Sequence, residues 1–213
     1  MSQTEIKIVN KMKEDVVIWL TLGATPGCLQ DVTQIPWITS GSGLQGSFTL
    51  GGGASVSYIP AEGVGLNGNL TAGTPPLNCA TDEFSDGINL FEFIINNSFQ
   101  SGNPQETVDI SCVPGVNALW HGDLSGGGQW NAGPNYPDVK NFHNTVLGSN
   151  TGLVGVFPFA CDNCTASVAP PVCPNPIPLA PNPQSEAICN IQRDASESGG
   201  VITATLLGVL ATL

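Results

Sequence analysis

Apolar positions along this chain come in short runs with a period of two. "TEIKIVN" and "DVVIWLTLG" read as strands joined by the charged turn "KMKED", and "QGSFTLGGGASVSYIP" reads as two more around Gly51 to Gly53. Alternation puts successive side chains on opposite faces of an extended segment, and Gly and Asp clusters interrupt it. These four strands are predicted to form a meander. After a loop, "AEGVGLNGNLTAGTPPLNC", the segments "INLFEFIIN" and "TVDISCV" predict a further pair of strands. From His121 to Glu186 the chain is rich in Gly, Asn and Pro, which predicts a loop-dominated excursion, and "GGVITATLLGVLATL" reads as the closing strand. That last segment is too short for a spanning helix and is broken by Gly208. Its final residues, "VLATL", can instead pack on another subunit, because an apolar strand at a terminus is also a free edge. No run sustains a helical period. The expectation is an all-β fold, a sandwich or barrel, in a single domain over residues 1–213, with 1–120 and 187–213 as the sheet core and 121–186 as the loop-rich region.

Composition agrees. With 26 Gly, 17 Pro and 10% charged residues in 213, long helices are excluded. The net charge of −12 repels phosphate backbones and anionic membrane surfaces, so neither nucleic acid nor membrane is expected as a partner. Only Lys7, Lys11, Lys13, Lys140 and Arg193 are basic, which leaves any buried carboxylate few cations to pair with. The first residues already alternate and hold no secretory apolar region, which fits an intracellular protein or one exported after removal of a signal.

Seven cysteines, Cys28, Cys79, Cys112, Cys161, Cys164, Cys173 and Cys189, are an odd number, so at least one is unpaired or bonds between chains. The last four are spaced C-x2-C-x8-C-x15-C. A structural zinc site usually shows a second close pair, which is missing, so disulfides are favoured over zinc, reduced thiols are a third alternative, and no metal or other cofactor is expected.

Two acids sit inside apolar strands. In "INLFEFIIN", Leu90, Glu92 and Ile94 share one face and Phe91, Phe93 and Ile95 the other. In "TVDISCV", Asp109 shares its face with Thr107 and Ser111, while Val108, Ile110 and Cys112 take the core side. Burying a carboxylate without partners is costly, so Glu92 must reach a cleft, be hydrogen-bonded or titrate high. The connection between the strands lets them lie side by side, with both acids in one groove. Paired carboxylates are the minimum for hydrolysing a glycosidic bond, Glu92 protonating the leaving oxygen and Asp109 attacking or activating water. A strand Asp that bonds a neighbouring loop's backbone is the competing explanation. Trp120, His121, Trp130 and Tyr136 follow closely and are candidates for a platform on which sugar rings stack. Core packing competes for the tryptophans, and hydrogen bonding in loops for His121 and His143.

"FEFIINN…ETVDISCVPGVNALW" resembles the thaumatin-like proteins and the related family 64 β-1,3-glucanases, in which an "EF" strand precedes an Asp-[IV]-Ser strand and a Gly-aromatic-Asn turn. "IKIVNKMKEDVVIWL" is similar to that family's opening strands, and "CNIQRDASESGGVITATLL" is a looser match to its last. The resemblance implies a flattened β-sandwich with an acidic groove that binds β-glucan in many members. Glu92 matches the cleft glutamate, Asp109 the aspartate of the Asp-[IV]-Ser strand, and Asp194 the late aspartate. Pro114 replaces an acid of the following turn, no arginine precedes Arg193 to fill the cleft cation's place, and Met12 stands where plant members have their first cysteine. Two expectations of different class follow. One is a thaumatin-like protein that binds the polysaccharide β-1,3-glucan, with weak endo-glucanase activity through the acidic cleft. The alternative is a non-catalytic, self-assembling structural protein on the same fold, a homo-oligomeric filament, lattice or shell subunit.

Overall fold

Two faces of β-structure, each alternating apolar and polar residues, close on one another around an apolar core. The computed structural model describes residues 2–73, 77–78, 83–84, 88–97, 104–111, 117–132, 137–144 and 191–210. Its strands are β1 (Glu5–Asn10), β2 (Val16–Leu22), β3 (Ser40–Ser42), β4 (Gln45–Leu50), β5 (Ser55–Tyr58), β6 (Leu66–Ala72), β7 (Leu77–Asn78), β8 (Glu83–Phe84), β9 (Leu90–Ile95), β10 (Gln105–Ser111), β11 (Ala118–Ser125), β12 (Asn141–His143), β13 (Ile191–Asp194) and β14 (Val201–Val209). A smaller sheet has the order β12-β11-β14-β1-β5, a larger one the order β13-β10-β9-β6-β2-β4-β3, and β7 pairs β8 separately. The protein is an all-β sandwich.

Ile6, Ile8, Ile202 and Leu206 of the smaller sheet face Ile18, Leu70, Phe93 and Ile110 of the larger, all 3% exposed or less. Phe91 of β9 bridges the layers, its ring 5.9 Å from Trp120 on β11 and 5.6 Å from Phe142 on β12. Aromatic contacts of this kind add about 0.5–1.5 kcal/mol beyond the area they bury.

The predicted meander is corrected. β1 and β2 lie in different sheets, as do β4 and β5, because the apolar stripes of successive strands meet across the core instead of side by side. Asn10, fully buried, ties both crossings together. Its Nδ2 donates to Glu14 O at 2.9 Å and Leu50 O at 3.0 Å, and its Oδ1 accepts from Met12 N–H at 2.9 Å. The predicted pair of β9 and β10 is present, antiparallel from Thr107 opposite Ile94 to Ser111 opposite Leu90.

Two further expectations are corrected. Part of the predicted loop after Ala61 is β6, flanked by β2 and β9 in the larger sheet. Leu66, Gly68, Leu70 and Ala72 turn inward while Asn67, Asn69 and Thr71 take the other face, so a Gly- and Asn-rich composition hides a regular alternation. The loop-rich region does not begin at His121, which lies within β11, and it includes β12; residues 145–190 lie outside the described residues. The closing strand is present as β14, an inner strand along Val201–Leu206, and residues 211–213 of the "VLATL" end lie outside the described residues. β14 is paired with β1 along Val201–Leu206 and with β11 along Val201–Val209, because its alternate apolar residues are needed at the middle of the smaller sheet.

Cys28 is a buried free thiol, and burial pushes its pKa up against a weaker opposing hydrogen bond from the Asn67 backbone. The other six cysteines lie outside the described residues.

Candidate functional site

On β9 the core takes Phe91, Phe93 and Ile95, each 3% exposed or less, which forces Glu92 and Ile94 onto the outer face. On β10 Val108 and Ile110 face inward and Thr107, Asp109 and Ser111 face outward. The register sets Asp109 directly opposite Glu92, and Cβ atoms of such pairs lie about 4.5–5.5 Å apart. Glu92 is half-buried and Asp109 is 8% exposed, so the aspartate is the more enclosed acid.

The same register continues across the sheet. Asn69 lies opposite Glu92, Thr21 opposite Asn69, Gln45 opposite Thr21 and Ser42 opposite Gln45. Six strands thus align one polar residue each, in the row Ser42, Gln45, Thr21, Asn69, Glu92, Asp109. With strands spaced about 4.8 Å apart, the row is about 24 Å long. Gln45 Nε2 donates to Thr21 Oγ1 at 3.1 Å along it. An open groove of about 470 Å³ lies over the acidic end, lined by Thr21, Asn67, Asn69, Glu92, Thr107 and Asp109 among others. Asn69 Oδ1 is buried there with no hydrogen-bond partner among the described residues. Trp19 lies on the same face two residues before Thr21, half-buried, and its Nε1–H is likewise buried without a partner among the described residues.

The other residues named from sequence are not brought to this groove. Trp120 is fully buried in the core beside Phe91, because β11 turns its even-numbered positions inward. Trp130, 4% exposed, packs against Arg193, whose guanidinium carbon lies 4.2 Å from the ring centre. Neither forms a sugar platform. Asp194 ends β13 and caps the 3-10 turn Ala195–Glu197, its Oδ1 accepting from Ser196 N–H at 2.8 Å. The Ser196 hydroxyl, and after it that backbone bond, hold its carboxyl below the usual range. His121 and His143 are strand residues, not loop residues, and lie on the smaller sheet. Tyr136 lies outside the described residues.

Sequence reasoning missed the chain's one buried ion pair among the described residues. Glu106 and Arg193, 0% and 3% exposed, point into the core from paired positions on β10 and β13. Arg193 Nε donates to Glu106 Oε2 at 2.7 Å and Nη2 to Gly199 O at 2.7 Å, and Glu106 Oε1 accepts from Thr4 Oγ1 at 2.8 Å and Asn96 N–H at 2.6 Å. The single arginine is therefore committed to closing one end of the sandwich, and it faces away from Glu92 and Asp109. The polar row was missed too, although its signal was present in the alternation of "LNGNLTA".

No protein-family model and no curated protein matches this chain.

Proposed function

We propose that the outer face of the larger sheet is the carbohydrate-binding groove of a thaumatin-like protein, with β-1,3-glucan as its ligand. The observation that carries this reading is the placement of Glu92 opposite Asp109 at the floor of one groove. Carboxylates accept hydrogen bonds from sugar hydroxyls, side-chain amides both donate and accept, and hydroxyls such as Thr21 and Thr107 do the same, so the lining matches a ligand covered in hydroxyls. Trp19 supplies an aromatic edge on the same face. A row about 24 Å long suits an extended chain lying across the strands better than a single sugar. β-1,3-glucan as the polymer comes from the resemblance of the β9 and β10 sequences to the thaumatin-like family.

The same two carboxyls meet the minimum requirement for glycosidic hydrolysis, with Glu92 as acid and Asp109 as nucleophile or base. Binding is the primary assignment, because no cation stands in the row and the aromatic residues nearest in sequence are committed to the core.

Co-sedimentation with insoluble β-1,3-glucan tests the assignment. The wild-type chain is expected to pellet, and Glu92→Gln and Asp109→Asn to lose at least about tenfold in affinity, roughly the 1.4 kcal/mol of one charge-assisted hydrogen bond. Near-UV circular dichroism on the same samples checks that both variants stay folded, and a reducing-end assay reads turnover. Wild-type protein that stays in the supernatant, or variants that pellet as well as it does, would contradict the assignment.

A further inference from the structure

The smaller sheet carries a second cluster of chemically active side chains, on the opposite side of the sandwich from the groove. Because Trp120, Gly122 and Leu124 face the core, His121, Asp123 and Ser125 face outward from β11. β12 sets His143 opposite His121 and Asn141 opposite Asp123. The two imidazole rings meet edge to face, with centres 5.8 Å apart and planes at 88°. His121 Nδ1 lies 3.7 Å from Asp123 Oδ2, with those side chains 32% and 52% exposed.

This arrangement is held from below. Phe142 packs beneath, with its ring where a Cβ on Gly122 would sit. Asn144 then ties the end of β12 to β11: its Oδ1 accepts from Trp120 N–H at 2.8 Å and its Nδ2 donates to Ala118 O at 2.9 Å. Two imidazoles are thus fixed side by side on a rigid element and remain open to solvent.

We propose that His121 and His143 form a two-imidazole site for a divalent transition metal, Cu2+, Ni2+ or Zn2+, with water completing its shell. Imidazole nitrogen is the ligand these ions share. An ion about 2.0–2.1 Å from a ring nitrogen lies about 3.2 Å from that ring's centre, so two rings bridged by one ion have centres no more than about 6.4 Å apart. The observed 5.8 Å lies inside that limit. Asp123 acts as an orienting partner and not as a ligand, since no group of three or more His, Cys, Asp or Glu is placed to hold a metal among the described residues. Its carboxylate lies 3.7 Å from Nδ1, on the other side of the ring from the Nε2 that would take the ion. The net charge of −12 raises the local concentration of any cation. The nearest basic groups do not compete strongly: Lys140 is paired with Asp138, and Lys7 lies on β1, beyond the intervening β14. A bound ion would clamp the short edge strand β12 to β11.

The chain has only two histidines, so proton NMR of the full chain can read the site without relying on a variant. Substoichiometric Cu2+ is expected to broaden both imidazole C2–H signals together. In calorimetric titration with Cu2+ or Zn2+ on thiol-blocked protein, His121→Ala and His143→Ala are each expected to weaken binding at least tenfold, and Asp123→Asn about tenfold with unchanged stoichiometry. The proposal is overturned if either histidine signal stays sharp as Cu2+ is added, or if both alanine variants bind the ion as the wild type does.

Discussion

Arg193 shows why a single side chain can decide what a whole site is able to do. It is the only arginine in the chain, and five of its neighbours, Glu106, Thr4, Gly126, Gly199 and Trp130, hold it in the core. Removing one member of such a pair leaves the other as an uncompensated buried charge, so Arg193→Met is expected to cost about 3–5 kcal/mol in urea unfolding. A loss under about 1 kcal/mol would show that the network contributes little. Asp194 gives a prediction of different sign structure. Its folded-state pKa is lowered by Ser196, so its contribution is present above the ordinary carboxylate range and is lost as pH falls through the lowered value. Asp194→Ala should therefore melt below wild type at pH 7, with the gap closing as pH drops below the unfolded value of 3.8. A gap that stays constant down to pH 2 would contradict the capping role. The juxtaposition of Glu92 and Asp109 was legible in the sequence because a period of two fixes which residues share a face. The Glu106 and Arg193 pair was not, because its partners are 87 residues apart and only the adjacency of β10 and β13 brings them together.

Among the elements, β6 and β12 carry the lesson that composition can mask a strand. β6 reads as a loop by its Asn and Gly content, yet Gly68 is required in place: a Cβ there would meet Thr21 O at 2.6 Å. β12 is only three residues long and has almost no propensity signal; the Phe142 ring packed on Gly122 and the Asn144 hydrogen bonds to β11 hold it. A Cβ on Gly122 would meet that ring at 2.3 Å. Gly122→Ala is therefore expected to destabilise the protein by about 1–3 kcal/mol through overpacking and to raise hydrogen exchange along β11 and β12 while β9 and β10 stay protected. Uniform loss of protection, or none, would show that this contact does not localise the edge strand. The strands with strong alternation and β-branched residues, β1, β2, β9, β10 and β14, were all legible. Their assignment to sheets was not, because local pattern fixes which way a side chain faces and leaves open which strand lies beside it.

At the scale of the whole molecule, the first and last long strands lie side by side and parallel, from Glu5 opposite Val201 to Asn10 opposite Leu206. The sandwich therefore closes only through contacts that span nearly the whole chain, an arrangement associated with slow folding. The two outer faces divide the chemistry, the polar row on the larger sheet and the histidine pair on the smaller. A molecule with net charge −12 that presents carboxylates along such a row favours a neutral, hydroxyl-rich ligand over an anionic one. The central claim is that this row binds a glucan chain, and an NMR titration of the full chain with a soluble, neutral β-1,3-gluco-oligosaccharide tests it most directly. The account predicts saturable shifts concentrated at the amides of Gln45, Thr21, Asn69, Glu92 and Asp109, with His121 and His143 unmoved. No shifts at saturating ligand, or shifts confined to the smaller sheet, would contradict it.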